Sequence, residues 1–344
     1  MIDTLKAVSE LTPGNNRPFF SATHQEISSA ATTDIYFVKT MEILDRQGLK
    51  NIPVTAEIFP RRPGVFAGLP EMLALLPDKG LEVWALAEGE EFAAKEVIMC
   101  IRGSYGAFGL METPLLGIAA SSSGWASAAR AIKNAAGDST VTCFGARHLH
   151  PAVAPVMERS ALIGGLDGAS CILGAKLAGR KPSGTAPHSL ILIMGDTVAA
   201  AKAYNQAMPP EELRLMLADT FKDEAEETMR LARALGDDLF GVRLDTPSER
   251  GGVTVELVRE IRCRLDMENF SNVKIFVSGG LDPVRLQELK EAGAAAFGVG
   301  SYISAAPPID MTMDLKEIEG RPIAKRGRIP GVTPNPRLKL IRAK

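Results

Sequence analysis

Between Gly137 and residue 304 the chain repeats one hydrophobic pattern, in which a short apolar run ends in a polar or glycine residue and a helical stretch follows. The runs are VTCFGARH, DGASCILGAK, GTAPHSLILIMGD, LRLMLADT, LFGVRLDT, VKIFVSGG and AAFGVGS. Apolar runs that alternate with helices are typical of parallel strands covered by helices on their outer face. Seven repeats in about 170 residues favour a closed or nearly closed α/β barrel over an open sheet.

The residues before this repeat predict a separate α+β module. A helix over DIYFVKTMEILDRQG is followed by the strand VTAEIF, a helix over LPEMLALLPDKG, and the strands EVWALAEG and KEVIMCIRGSYG. A long helix rich in alanine and serine then begins at Thr113 and Pro114 and ends at Gly137. The tail predicts two strands around an EGRP turn that return to the first module. We therefore predict an N-terminal α/β module of residues 1–112, joined by residues 305–344, and a barrel domain of residues 113–304.

The last two strands of the repeat end in paired glycines, Gly279 with Gly280 and Gly298 with Gly300. Glycine allows the backbone to approach a ligand closely and to adopt left-handed turns. In barrels of this type the last strands build a phosphate site from backbone N–H groups and a short helix, here predicted at residues 301–305. Asp282 and Pro283 predict the cap and first turn of the helix between the two strands. Ordinary tight turns are the alternative explanation of the same glycines.

Charged side chains occupy the predicted strand ends, which is where barrel enzymes place their active sites. An isolated buried charge is costly, so such groups are normally paired with each other, with a metal or with a ligand. Asp245 lies two residues after Arg243 and points to the same side of its strand, where it suits Mg²⁺ or a sugar hydroxyl. His188 alone is most simply a structural histidine, but four further charged strand ends favour a functional one. The strand-end set is Arg147, His148, His188, Asp219, Arg243 and Asp245, and it predicts an enzyme that handles a sugar phosphate.

Composition narrows the class of protein. Apolar residues make up 46% and charged residues 23% of the 344 residues, as in ordinary globular proteins. The formal net charge of -2 argues against a general nucleic-acid binder. Four scattered cysteines give no zinc signature and fit a reducing compartment. The first residues contain no signal pattern, and no apolar run is long enough to span a bilayer, so the expected location is the cytoplasm.

Seven motifs occur here in the order found in a known family: FGARHLHPA, GGLDGAS, GTAPHS, ADTFKDE, GVRLDTPSERGG, KIFVSGGLD and AFGVGS. From TTDIYF to AKRGRI the chain resembles nicotinate phosphoribosyltransferase, a type II phosphoribosyltransferase, in its shorter archaeal and bacterial branch. The resemblance implies an incomplete (β/α) barrel with an N-terminal α/β module, assembled as a homodimer with shared active sites. It also implies a reaction of nicotinate with 5-phosphoribosyl-1-pyrophosphate (PRPP), coupled to ATP hydrolysis with Mg²⁺, that yields nicotinate mononucleotide and pyrophosphate.

The resemblance assigns the pyridine ring to two aromatic residues and one arginine. Phe144 resembles the aromatic residue below the ring and Tyr36 the one above it, contributed by the partner subunit. Arg147 resembles the arginine near the ring substituent and the pyrophosphate. Spacing alone predicts that Tyr36 is a packed residue beside an apolar helical stripe, and the resemblance replaces that interpretation.

The phosphoribosyl group is assigned in the same way. The resemblance implies that His188 is phosphorylated by ATP with Asp219 supporting it, and that Arg243 and Asp245 hold the ribose and its metal-bound oxygens. Arg61 or Arg62, and Lys325 or Arg326, are implied to reach the pyrophosphate or the ATP phosphates across the dimer. No zinc is expected, because the chain ends in PNPRLKLIRAK without a cysteine-bearing extension. The implied 5'-phosphate cradle consists of Ser278, Gly279, Gly280, Gly298, Gly300 and Ser301.

Three other functions fit parts of the pattern. A sister enzyme that uses nicotinamide or quinolinate differs only in the pyridine substituents, which motifs separate imperfectly. A different phosphate-binding barrel enzyme is disfavoured, at least as a Schiff-base aldolase, because no lysine ends a predicted strand. A non-catalytic protein that binds PRPP or a nucleotide is disfavoured by the complete set of charged strand ends.

Overall fold

The structure is a computed structural model that describes residues 1–14 and 17–343. The chain divides into two compact units, which we call the N-terminal unit (Met1–Ser127 with Pro307–Lys344) and the parallel-sheet unit (Ala128–Ala306). The boundaries predicted at residues 113 and 305 differ from this division. The boundary predicted at residue 113 falls at the beginning of a long helix, whereas the two units divide within that helix, between Ser127 and Ala128.

Thirteen α-helices occur in the described residues. In chain order they are α1 (Leu5–Glu10), α2 (His24–Ser28), α3 (Ile35–Arg46), α4 (Leu69–Ala74), α5 (Glu112–Ala136), α6 (Ala154–Ile163), α7 (Ile172–Leu177), α8 (His188–Met194), α9 (Thr197–Ala207), α10 (Glu224–Leu235), α11 (Val255–Met267), α12 (Pro283–Glu291) and α13 (Ser301–Ser304). None of these helices combines the length and the apolar character that a membrane crossing requires.

The described residues also contain fourteen strands. They are β1 (Pro53–Pro60), β2 (Gly64–Val65), β3 (Leu81–Ala85), β4 (Glu91–Phe92), β5 (Met99–Ser104), β6 (Thr140–Cys143), β7 (Gly168–Ala169), β8 (Leu215–Leu217), β9 (Gly241–Leu244), β10 (Lys274–Ser278), β11 (Ala296–Val299), β12 (Met311–Ile318), β13 (Arg321–Pro322) and β14 (Lys339–Arg342).

The N-terminal unit is built on an antiparallel sheet with the strand order β13-β12-β1-β5-β3-β14. The tail strand β12 pairs with β1 along its whole length, from Val54 opposite Ile318 to Pro60 opposite Met311. The prediction that the C-terminal strands complete the N-terminal module is therefore confirmed. One face of the sheet packs on a core whose largest fully buried side chains are Phe66, Phe108, Met41, Ile58, Met72, Leu81, Leu86, Ile98, Met99, Ile101 and Leu115.

The parallel-sheet unit has six strands in the order β7-β6-β11-β10-β9-β8, and every adjacent pair is parallel. Six of the seven apolar runs form these strands, and the sheet stays open between β7 and β8. An incomplete barrel is thus confirmed, whereas the prediction that all seven runs are strands is wrong. The run LILIMGD instead lies in α8, which begins after Pro187 and ends at Gly195 in a left-handed conformation.

Three predicted helices are confirmed. The carboxylate of Asp282 accepts a hydrogen bond from the backbone N–H of Arg285 and caps α12, with Pro283 at its first position, as predicted. The alanine- and serine-rich helix is confirmed as α5, which runs for 25 residues. The predicted helix after the last strand is α13, and it begins at Ser301 as expected.

A buried acid lies at the beginning of α5. Burial raises the pKa of Glu112 to about 7, and the nearby Asp314 carboxylate adds to the effect. Asp314 itself forms an ion pair with Arg328 at 3.0 Å. At a pH between the ordinary pKa of a glutamate and about 7, Glu112 is protonated in the folded protein and ionised in the unfolded chain. Through Glu112 the folded protein therefore loses stability as the pH rises through this range, and it keeps this contribution in full at lower pH.

We expect Glu112→Gln to unfold at higher temperature than the natural protein at pH 8, with little difference at pH 5. Solvent screening of the partly exposed carboxyl limits the gain to about 1 kcal/mol. Thermal or denaturant unfolding at both pH values measures it. The control is Glu10→Gln, which removes an exposed carboxylate near Lys6. An equal effect of Glu112→Gln at the two pH values would contradict the prediction.

Candidate active site

The parallel register brings polar residues of neighbouring strands to one edge of the sheet. Leu217 of β8 lies opposite Arg243 of β9, and Arg243 lies opposite Phe276 of β10. Asp219 lies two residues beyond Leu217, and Asp245 lies two residues beyond Arg243. Because side chains alternate along strands, the two aspartates occupy matching positions at the ends of β8 and β9. The carboxyl ends of β8, β9, β10 and β11 therefore form a continuous polar edge, which we call the strand-end site.

Arg243 is the centre of the strand-end site. Its Nε donates to Ser278 Oγ at 2.8 Å, Nη1 donates to Thr185 Oγ1 at 2.7 Å, and Nη2 donates to Asp245 Oδ2 at 2.6 Å. Ser278 Oγ in turn donates to Asp245 Oδ1 at 2.8 Å. Ser278 was predicted to bind phosphate, and the structure places its nearly buried hydroxyl between Arg243 and Asp245.

An aromatic side chain lies beside this cluster. The Arg243 guanidinium lies 5.2 Å from the centre of the Phe144 ring, which stacks on Phe276 at 6.1 Å. Gly298 makes room for the ring, because a Cβ atom there would come within 2.5 Å of Phe144 Cδ2. Gly300 is needed in the turn that follows, because a Cβ atom added there would lie 3.0 Å from His148 Nε2 and 3.1 Å from the Phe144 carbonyl oxygen. These two glycines are thus required by packing, whatever they do for a phosphate.

A histidine and an aspartate form the second charged pair. His188 Nε2 lies 3.1 Å from Asp219 Oδ2, with the histidine side chain 38% exposed and the aspartate side chain 1% exposed. His188 was predicted at a strand end, but it is the first residue of α8. Burial raises the pKa of the Asp219 carboxyl, and the hydrogen bond with His188 opposes this shift. The other carboxylate oxygen, Oδ1, is buried and has no hydrogen-bond partner in the described residues.

The glycine pair after β10 differs from the pair around β11. Gly279 and Gly280 are exposed and have φ values of +93° and +58°, which side chains rarely adopt. A Cβ at Gly279 would lie 3.3 Å from Asp245 Oδ1, so this turn passes close to the charged cluster. Ser301, after Gly300, is exposed at the first position of α13.

Other predicted site residues lie at the surface of their units. Arg147 is exposed in the short 3-10 turn Ala146–His148 that follows β6. In the N-terminal unit, Tyr36 is 55% exposed and its hydroxyl donates to Asp34 at 3.2 Å. Arg61 pairs with Asp310 at 3.0 Å, and Arg62 donates to the Pro307 carbonyl at 2.8 Å.

The two basic residues of the tail, Lys325 and Arg326, are also exposed in the N-terminal unit. The described residues contain no group of three or more His, Cys, Asp or Glu side chains that could hold a metal ion. A metal carried entirely by protein ligands therefore does not fit the strand-end site, and Asp245 has both oxygens engaged by Arg243 and Ser278.

Sequence reasoning missed two residues. Thr185, in the GTAPHS segment, accepts a hydrogen bond from Arg243 across 58 positions of the chain. Glu158 is fully buried in α6 and accepts hydrogen bonds from two strand-end loops. The segment itself was identified as a motif, but nothing in its letters shows which side chain Arg243 reaches. Nothing in the sequence around Glu158 distinguishes a buried glutamate in a helix from an exposed one.

Two family sequence models match most of the chain. The N-terminal domain of quinolinate phosphoribosyl transferase matches residues 34–123, and the C-terminal domain of the same family matches residues 125–314. A solved structure of nicotinate-nucleotide pyrophosphorylase from Pyrococcus furiosus is 43% identical. The match covers 92% of this chain and 82% of that one, with a TM-score of 0.87.

More distant relatives carry a different name. Nicotinate phosphoribosyltransferase pncB1 of Mycobacterium tuberculosis is 28% identical over 338 residues, covering 86% of this chain and 74% of the relative. The structure of human nicotinic acid phosphoribosyltransferase shares the fold, with a TM-score of 0.66 at 19% identity, and covers 87% of this chain and 77% of that one.

These findings overturn the expected function. An ATP-coupled nicotinate phosphoribosyltransferase was expected, but both family models are of the quinolinate type, and the relative at 43% identity is a nicotinate-nucleotide pyrophosphorylase. The phosphorylation of His188 by ATP depended on that expectation and is withdrawn with it. What remains is a phosphoribosyltransferase of NAD biosynthesis.

We expect Gly298→Ala to displace the Phe144 ring and to lower the free energy of unfolding by about 1–3 kcal/mol, as overpacking of a buried site does. The measurement is thermal unfolding together with a crystal structure of the variant. The matched control is Gly184→Ala in the same unit, where a Cβ would meet nothing within 4 Å. Equal stability of the two variants, with Phe144 unmoved, would contradict the packing role.

Proposed function

The chain belongs to the quinolinate phosphoribosyl transferase family, and from this we propose that it transfers the phosphoribosyl group of PRPP to quinolinate. Quinolinate carries two carboxylates and nicotinate one, so the products are nicotinate mononucleotide, pyrophosphate and carbon dioxide. The family name supports the pyridine substrate. The name of the Pyrococcus furiosus relative supports the nucleotide product and the pyrophosphate.

The observation that carries the proposal is a pair of charged contacts at adjacent strands. His188, at the beginning of α8, contacts Asp219 after β8, and Arg243 of β9 contacts Asp245. When pyrophosphate leaves C1 of the ribose, positive charge develops on the sugar. Buried carboxylates close to that carbon stabilise this charge, and cationic side chains neutralise the leaving group. We assign Asp219 and Asp245 to the ribose, and His188 and Arg147 to anionic groups of the substrates.

Arg243 has a supporting role in this scheme. Each of its three nitrogens already donates one hydrogen bond, to Ser278, Thr185 or Asp245. It therefore orients the Asp245 carboxylate for the ribose. Phe144, held beside Arg243, supplies a flat apolar surface for the pyridine ring without competing for the ring nitrogen. The turn at Gly279 and Gly280, with Gly300 and Ser301, offers backbone N–H groups to the 5'-phosphate.

We propose that Mg²⁺ enters together with PRPP. Magnesium is usually held by one or two carboxylates and by substrate phosphates, so the strand-end site does not need a complete set of protein ligands. The unpartnered Oδ1 of Asp219 is the oxygen that fits it best. Asp245 is the second candidate, because each of its oxygens keeps a lone pair beside the hydrogen bond from Arg243 or Ser278. When bound, the ion neutralises charge on the pyrophosphate.

Tyr36 and the basic residues of the N-terminal unit belong to the proposal as contributions from a partner subunit. Tyr36 presents an exposed ring, a surface that suits the open face of a bound pyridine. Arg61, Arg62, Lys325 and Arg326 are the candidates for the pyrophosphate. The proposed assembly is a homodimer in which each active site takes residues from both chains.

The reaction is tested with PRPP and Mg²⁺ and with quinolinate, nicotinate or nicotinamide, each with and without ATP. We expect nicotinate mononucleotide and carbon dioxide from quinolinate, at a rate that ATP does not change. A site that pairs with a carboxylate rejects an analogue without it by roughly 10⁴, so nicotinamide should be inert. Turnover of nicotinate alone, and only with ATP, would refute the proposal.

The shared site is tested by mixing two inactive chains, Tyr36→Ala and Asp219→Asn. A heterodimer of these chains contains one site with both natural residues. A random mixture should regain about one quarter of the natural activity if the dimer is isologous. The control is the Asp219→Asn homodimer taken through the same mixing procedure alone. Heterodimers verified by mass that show no activity would argue against a shared site.

A further inference from the structure

Glu158 is a fully buried carboxylate outside the charged strand-end pairs. It lies in α6 and is 0% exposed. A buried carboxylate is costly unless hydrogen bonds satisfy its oxygens. Burial raises the pKa of Glu158, and hydrogen bonds from Cys171, Ser170 and Ala146 act against this shift. A group retained at such cost in the middle of a helix requires an explanation from its contacts.

Its contacts join two loops at the carboxyl edge of the sheet. Oε1 accepts from the Ala146 backbone N–H at 3.2 Å and from Ser170 Oγ at 3.1 Å. Oε2 accepts from the Cys171 backbone N–H at 2.6 Å. Ala146 follows β6, and Ser170 and Cys171 follow β7. One side chain thus connects α6 to the ends of two adjacent strands.

The loop after β6 carries Phe144 and Arg147, the residues assigned to the pyridine. Before the loop, the Phe144 backbone N–H donates to the Val299 carbonyl at 2.8 Å. After it, Ala146 donates to Glu158. These two bonds flank the segment from Phe144 to Ala146 and determine where the aromatic ring and the arginine lie relative to β11.

We propose that Glu158 is a positioning residue that sets the pyridine end of the active site, separately from the phosphoribosyl end. This inference rests on the proposed function. Both oxygens of the carboxylate accept hydrogen bonds from three donors. Glutamine has the same shape but only one acceptor oxygen. Its NH₂ group is a donor, so it would face a backbone N–H donor at one of the two oxygen positions and could not accept that hydrogen bond. Replacement by glutamine should release one of the two loops without leaving a cavity.

Residues of the phosphoribosyl end do not depend on this contact. Asp245, Ser278 and Arg243 bond to one another, and Gly279 and Gly280 follow β10. The matched control is Glu227→Gln. Glu227 is equally buried, in α10, and its side chain pairs with Arg230 of the same helix rather than with a strand-end loop.

The experiment compares the Kd of nicotinate mononucleotide with the Kd of ribose 5-phosphate, which lacks the pyridine, by calorimetry. In Glu158→Gln we expect the first Kd to rise about tenfold and the second to change less than about threefold, because small displacements of positioning groups are costly. The KM of quinolinate should rise more than that of PRPP. Amide hydrogen exchange should accelerate at Ala146 or at Cys171, whichever N–H faces the new amide group. Glu227→Gln should lose stability and keep both affinities.

Equal weakening of both ligands, or unchanged exchange at Ala146 and Cys171, would overturn the positioning role. If the natural protein binds nicotinate mononucleotide but does not turn over quinolinate, the proposed function is refuted. The comparison of the two Kd values then still tests the positioning role of Glu158. Absence of nicotinate mononucleotide binding by the natural protein would overturn both.

Discussion

The guanidinium of Arg243 is the interaction on which the strand-end site depends. Its N–H groups are nearly buried, and a buried donor is costly to leave without an acceptor. The acceptors come from three places: Ser278 at the end of β10, Asp245 after β9, and Thr185 in the segment before α8. A single side chain therefore holds three segments in register, and its remaining face lies against Phe144. Changing any one acceptor would leave a buried donor unpaired and loosen the others.

In the proposed function, the site separates into two ends with different physical requirements. The phosphoribosyl end is built from charges and from backbone in left-handed conformations, at Gly279 and Gly280. The pyridine end is built from an aromatic ring that fits only because Gly298 has no side chain. Glu158 supports that second end from below, through hydrogen bonds to two loops. The two ends meet at Arg243.

This separation explains why the motifs led to a wrong function. In the proposed scheme Asp219, Arg243 and Asp245 serve the transfer of the phosphoribosyl unit, which is the same for both pyridine substrates. Quinolinate and nicotinate differ by one carboxylate, and these three residues do not distinguish them. The family-model matches over residues 34–123 and 125–314 cover most of the chain, and they place it in the quinolinate phosphoribosyl transferase family.

The sequence by itself determined the elements whose signals are local. The apolar runs ending in glycine predicted β10 and β11, Asp282 and Pro283 predicted the beginning of α12, and the alanine-rich stretch predicted α5. The run LILIMGD was mistaken for a strand, because a short apolar segment has no periodicity that distinguishes a strand from a helix. Only the tertiary structure decided that it forms α8, that Arg243 reaches Thr185 across 58 positions, and that Glu158 is buried beneath two loops. These facts depend on which segments come together in space, and contacts between residues far apart in the chain leave no pattern in a single sequence.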